Sequence, residues 1–141
     1  VPGEAIDLAG WVMEHNASQP WVILVHGIRS CKANHEVLIP AAWLHQAGFN
    51  VVLFDMRDHG DSTVEDGLVS AGQREYRDLL AVWQWLQDER NASPERIGVL
   101  GVSMGAGTAA IASIAVSRSV SWKSLSTLPS NSALARAKAD E

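Results

Sequence analysis

The chain has 141 residues, 47% hydrophobic and 19% charged, with a formal charge of −5, which suits one domain with a real core and the composition of a soluble globular protein. No apolar run approaches the roughly 20 residues that span a bilayer, and the first residues lack the basic, apolar, small-residue order of a signal peptide, so the reading is a soluble, cytoplasmic chain with no membrane segment. Residues 1–95 hold 14 acids against 6 bases, which argues against a nucleic-acid partner, and the sole cysteine, Cys31, excludes an intrachain disulfide.

In chain order, residues 5–13 alternate loosely and predict a strand paired with something upstream. Trp21-Val22-Ile23-Leu24-Val25 is a continuous apolar run, the pattern of a strand buried on both faces. A loop over 26–34 leads to a helix over 36–46, with Val37, Leu38, Ala41 and Leu44 at helical spacing and Gly48 closing it; Pro40 is placed near its first turn. Val51-Val52-Leu53-Phe54-Asp55 predicts a second buried strand, followed by a polar loop to about Gly67. Over 72–90, Tyr76, Leu79, Leu80, Trp83 and Leu86 recur at three-and-four spacing, predicting an amphipathic helix with Trp83 in the core. Ser93-Pro94-Glu95 is a turn, and residues 96–102 predict a third buried strand. Strands alternating with helices make parallel βαβ units, so the class is α/β, with sites expected at the carboxyl ends of the strands.

The most informative segment is Gly101-Val102-Ser103-Met104-Gly105, between that third strand and the small-residue stretch 106–115. A strand, a tight turn carrying serine between glycines, and a helix make the G-x-S-x-G nucleophile elbow. Such a turn exposes the Ser103 hydroxyl at the carboxyl edge of the sheet and aims the Met104 N–H, at the helix start, toward an oxyanion. A serine hydroxyl is a weak nucleophile and needs a histidine base and an orienting acid. All five histidines (His15, His26, His35, His45, His59) precede Ser103, and only Asp140 and Glu141 follow it as acids. Three readings stand: a fragment of a longer enzyme, a chain that has lost the chemistry, or an upstream histidine acting in an unusual order.

Three signatures in order carry a resemblance: His26-Gly27-Ile28 after the first buried strand, Asp55-Met56-Arg57-Asp58-His59-Gly60-Asp61-Ser62 after the second, and the elbow after the third. Over residues 5–115 the chain resembles the first half of an α/β-hydrolase, in particular the prolyl-oligopeptidase-like and serine-aminopeptidase-like hydrolases. The resemblance implies a three-layer α/β/α fold with a mainly parallel sheet, truncated before the triad acid and histidine. It implies Ser103 as nucleophile, the Met104 and Ile28 N–H groups as the oxyanion hole, His26 as a brace of the oxyanion loop, His59 as a structural loop histidine, and no cofactor or metal. Asp58 departs from the glycine that relatives place in an R-G-H-G pattern, which bears on the shape of that loop.

The activity implied is acyl transfer on a small ester or peptide substrate, with esterase and peptidase left open. A non-catalytic fold remnant is the alternative. Nucleotide binding is a minor one, since Gly105-Ala106-Gly107-Thr108-Ala109-Ala110 fits G-x-G-x-x-A but no acid lies about 20 residues on. The histidines have no metal-ligand spacing. After residue 116 the pattern degrades into a serine-rich, weakly structured tail over 117–141, with a short helix over 133–139; this tail does not match the family and reads as a non-homologous or frame-shifted end. The third strand is then left with an open edge, and self-association through it is expected.

Overall fold

The computed structural model describes residues 1–119, so the expected tail lies almost wholly outside the described residues. Its elements are β1 (Gly10–Met13), β2 (Trp21–Val25), α1 (His35–Gln46), β3 (Asn50–Phe54), α2 (Tyr76–Arg90), a 3-10 turn (Pro94–Arg96), β4 (Ile97–Gly101) and α3 (Met104–Ser119). The sheet order is β1-β3-β2-β4. β2 pairs in parallel with both β3 and β4, while β1 is antiparallel to β3.

The uninterrupted apolar runs of β2 and β3 are explained by two cores, one on each face of the sheet. Ile23, Val25, Val52 and Phe54 pack against Leu79, Val82 and Leu86 of α2 and Ala112 of α3. The alternate residues Leu24, Val51 and Leu53 pack against Val37 and Ala41 of α1. Because successive strand side chains point to opposite faces, a strand with helices on both sides must be apolar throughout. The result is the expected three-layer α/β/α arrangement with a mainly parallel sheet.

Four expectations change in detail. Where alternation predicts a strand over 5–13, only Gly10–Met13 forms one, and it pairs with β3 inside the chain. The residues before it are tied instead to the loop after β3: the Asp7 N–H donates to Thr63 Oγ1 and the Ala9 N–H to Ser62 Oγ. The second helix begins at Tyr76, not Gly72, because Ala71 and Gly72 take left-handed φ values of 55° and 97°. Pro40 lies inside α1, in its second turn. The third strand is not buried like the other two; Val99 is 42% exposed, since β4 pairs only with β2 among the described residues. Trp83 is partly buried against the α2-side core, as expected, and α3 continues through residue 116 to Ser119.

Candidate active site

Val102 and Ser103 are the only residues between β4 and α3, and Ser103 has a φ of 52°. Left-handed backbone costs a residue bearing a Cβ about 1–2 kcal/mol, so the turn must be held from outside. The Val102 N–H donates to Val25 O at 2.9 Å, Gly105 N–H to Val102 O at 2.8 Å, and Ala106 N–H to Ser103 O at 3.0 Å. The flanking glycines have a steric cause. A Cβ on Gly105 would stand 2.2 Å from Val25 O, and one on Gly101 would stand 2.4 Å from the Gly105 carbonyl carbon. The elbow is therefore pressed onto the end of β2, with Ser103 itself exposed. This packing accounts for the glycine at 105 without a phosphate. Met104 opens α3, where N–H groups lack intrahelical partners.

The loop after β2 lies against the same point. A Cβ on Gly27 would be 3.4 Å from Ser103 Cβ, and Gly27 is followed by the exposed Ile28. His26 beneath it is fully buried with both ring nitrogens committed. Nδ1 donates to Gly27 O at 2.8 Å, and Nε2 accepts the Met56 N–H at 3.1 Å. One donor and one acceptor define a neutral ring, and burial pushes its pKa below the ordinary histidine value. His26 is thus a brace joining two loops. His59 packs beside it, ring centroids 5.0 Å apart; its Nδ1 meets Arg57 O at 2.8 Å. The buried Nε2 of His59 has no hydrogen-bond partner among the described residues.

The loop after β3 is held by charge. The Asp55 carboxylate accepts the Lys32 N–H and Nζ, both at 2.6 Å, and the Asp61 N–H at 2.9 Å. Burial alone would raise its pKa, but these donors hold it below the usual aspartate value. Arg57, with no exposed surface, forks onto Asp78 through Nε and Nη2 and reaches Glu4 through Nη1 at 2.6 Å. Asp58, at the position of the family glycine, takes the left-handed φ of 60° that a glycine would. Its Oδ1 also accepts the N–H groups of Glu65, Asp66 and Gly67. The departure thus keeps the loop's conformation and adds a side chain that organises residues 65–67.

Of the sequence-predicted site residues, Ser103, Met104 and the Gly27-Ile28 step come together, with His26 behind them. Lys32, Glu36 and the Arg57–Asp78 pair were not singled out from the sequence, since their partners are distant along the chain. Among the described residues no group of three or more His, Cys, Asp or Glu is placed to hold a metal, and no helix is long and apolar enough to cross a membrane.

A parallel-centred three-layer sheet with a glycine-locked serine elbow at its carboxyl edge defines an α/β-hydrolase. The chain belongs to the serine aminopeptidase S33 family, whose profile matches residues 16–125. It is 37% identical over 107 residues to a 31.7 kDa Escherichia coli protein of the traX–finO intergenic region, covering 74% of this chain and 36% of that protein. Among solved structures it is similar to the Pyrococcus furiosus esterase Pf2001, with 36% identity and a TM-score of 0.65 over 74% of this chain and 40% of that one. The fold is also that of Est1E from Butyrivibrio proteoclasticus, solved with ferulic acid bound: TM-score 0.72, 19% identity, 83% of this chain and 47% of that one. The chain thus spans about a third of the length of the curated relatives it matches.

Proposed function

We propose that this chain carries the nucleophile half of a serine hydrolase that cleaves carboxylic esters by acyl transfer through Ser103. The observation that carries the reading is the exposed Ser103 at a φ of 52° on a glycine-locked elbow, with the Gly27-Ile28 step packed beside it. In this reading the Ser103 oxygen attacks the substrate carbonyl, and the negative charge that develops is met by the Met104 and Ile28 N–H groups. Such donors work because they are fixed before the charge appears. The proton of Ser103 needs a base, and His26, neutral and committed on both nitrogens, is not that base. Ester over amide is favoured by the likeness to the Pf2001 esterase.

The test is hydrolysis of p-nitrophenyl esters of graded acyl length beside aminoacyl p-nitroanilides, with Ser103→Ala as control. Ester turnover abolished by the substitution supports the reading; turnover that survives Ser103→Ala contradicts it. A second reading, a non-catalytic remnant of the fold, is favoured by His26, which lies beneath the elbow with both ring nitrogens committed to backbone groups. It predicts a folded protein inert in both assays. We also propose self-association through the outer edge of β4, where Val99 is exposed; light scattering that shows only monomer contradicts it.

A further inference from the structure

Glu36 is the second residue of α1, whose first turn is capped by Asn34. Its side chain turns back over the loop after β2, and Oε1 accepts the Gly27 N–H at 2.8 Å. A Cβ placed on Gly27 would lie 3.3 Å from Glu36 Oε1 and 3.4 Å from Ser103 Cβ, so the carboxylate and the candidate nucleophile both press against this one glycine. The group stays ionised. The Ser30 hydroxyl, near it though outside hydrogen-bond geometry, and the Gly27 N–H hold its pKa below the ordinary glutamate value, and the helix N-terminus favours a negative charge.

Both polar atoms of Gly27 are thereby tied, the N–H to Glu36 and the C=O to His26 Nδ1. The described chain has no cis peptide bonds, and in a trans peptide the C=O and the following N–H point to opposite sides. With Gly27 O turned inward onto the His26 ring, the Ile28 N–H is turned away from it. We infer that Glu36 is a positioning residue: its carboxylate fixes the Gly27 backbone so that the Ile28 N–H is aimed before charge develops on the substrate oxygen. This rests on the reading of Ser103 as nucleophile and of the Ile28 N–H as an oxyanion donor. A charge-assisted bond is shorter and stronger than one to a neutral acceptor, and a buried Gly27 N–H left without an acceptor is free to turn the loop toward another partner.

The experiment compares Glu36→Ala, Glu36→Gln and Glu36→Asp in the full chain, by ester hydrolysis and by the rate of Ser103 phosphonylation with a fluorophosphonate. Removing an interaction made only in the transition state lowers kcat and leaves KM nearly unchanged. Glu36→Ala is expected to lower kcat about 10- to 100-fold, less than the roughly 100- to 1000-fold that outright loss of an oxyanion donor costs, with KM changed less than about 2-fold. Glu36→Gln, which keeps the acceptor at the same reach, recovers part of that loss. Glu36→Asp, one methylene short, does not. If Glu36→Ala fails to fold, the order of the other two decides: glutamine above aspartate supports the role, and aspartate equal to or above glutamine overturns it. A kcat within about 2-fold of the unsubstituted chain in Glu36→Ala, or a loss carried wholly by KM, also overturns it. An unsubstituted chain that is neither labelled nor active fails one step earlier, at Ser103, and takes this inference with it.

Discussion

The elbow and the loop after β3 flank the same end of β2, yet they are shaped by opposite means. The turn through Ser103 is defined by what is missing: glycines at 101 and 105 let β4, α3 and the carbonyl of Val25 approach to distances that any Cβ would forbid. The loop over 55–75 is defined by what is present: Asp55, Arg57, Asp58 and Glu75 each bind several groups, and Arg57, Asp55 and Glu75 do so with no exposure to solvent. The elbow's glycines stand within two residues of the serine and are written as a short motif, although what crowds Gly105 is the distant Val25. A charge constraint acts between residues as far apart as Glu4 and Arg57, and leaves no motif.

The contrast is broken most severely at Gly105. Gly105→Ala drives a Cβ into the backbone of β2, where no flexible side chain can yield, and is expected to abolish the folded state or to cost more than about 4 kcal/mol in urea unfolding. In the loop, Asp78→Ala leaves the Arg57 guanidinium buried without its main partner. A loss of roughly 3–5 kcal/mol is expected, and a loss under about 1 kcal/mol by the same measurement means the pair adds little beyond its desolvation cost. His26 links the two regions through Gly27 and Met56, and it sharpens the comparison by pH. Its folded pKa lies below the ordinary value of 6.5, so the unfolded chain takes up the proton first and stability falls as pH drops through 6.5 toward the folded value. Thermal melts from about pH 8 to about pH 5 are expected to show this decline, with a flatter profile in His26→Asn. The smallest effect is at Gly107, two residues past Gly105, where a Cβ meets nothing within 4 Å. Gly107→Ala inside α3 is expected to raise stability by about 0.5–1 kcal/mol.

The same distinction governs what could be read before the structure. The three-layer architecture was legible because filling two cores needs uninterrupted apolar runs, Trp21 to Val25 in β2 and Val51 to Phe54 in β3. The elbow was legible because its glycines stand two residues to either side of the serine they serve. The ends of elements were less so: the helix expected from Gly72 begins at Tyr76 because Glu75 accepts the N–H groups of Ser70 and Gly72 and holds a left-handed turn there. The exposure of β4 depends on which strand lies beyond it, a fact that its own five residues do not contain. Asp58 looked like a defect in a glycine pattern, whereas its carboxylate gathers three N–H groups that follow seven to nine residues later.

The central claim is that the elbow presents an activated Ser103. The most direct measurement is intact-mass analysis of the protein after exposure to a fluorophosphonate, with peptide mapping of the adduct and Ser103→Ala in parallel. The account predicts one phosphonyl adduct per chain, mapped to the peptide containing Ser103 and absent in the variant. A folded protein that takes up no adduct, or takes it up equally in Ser103→Ala, would contradict it.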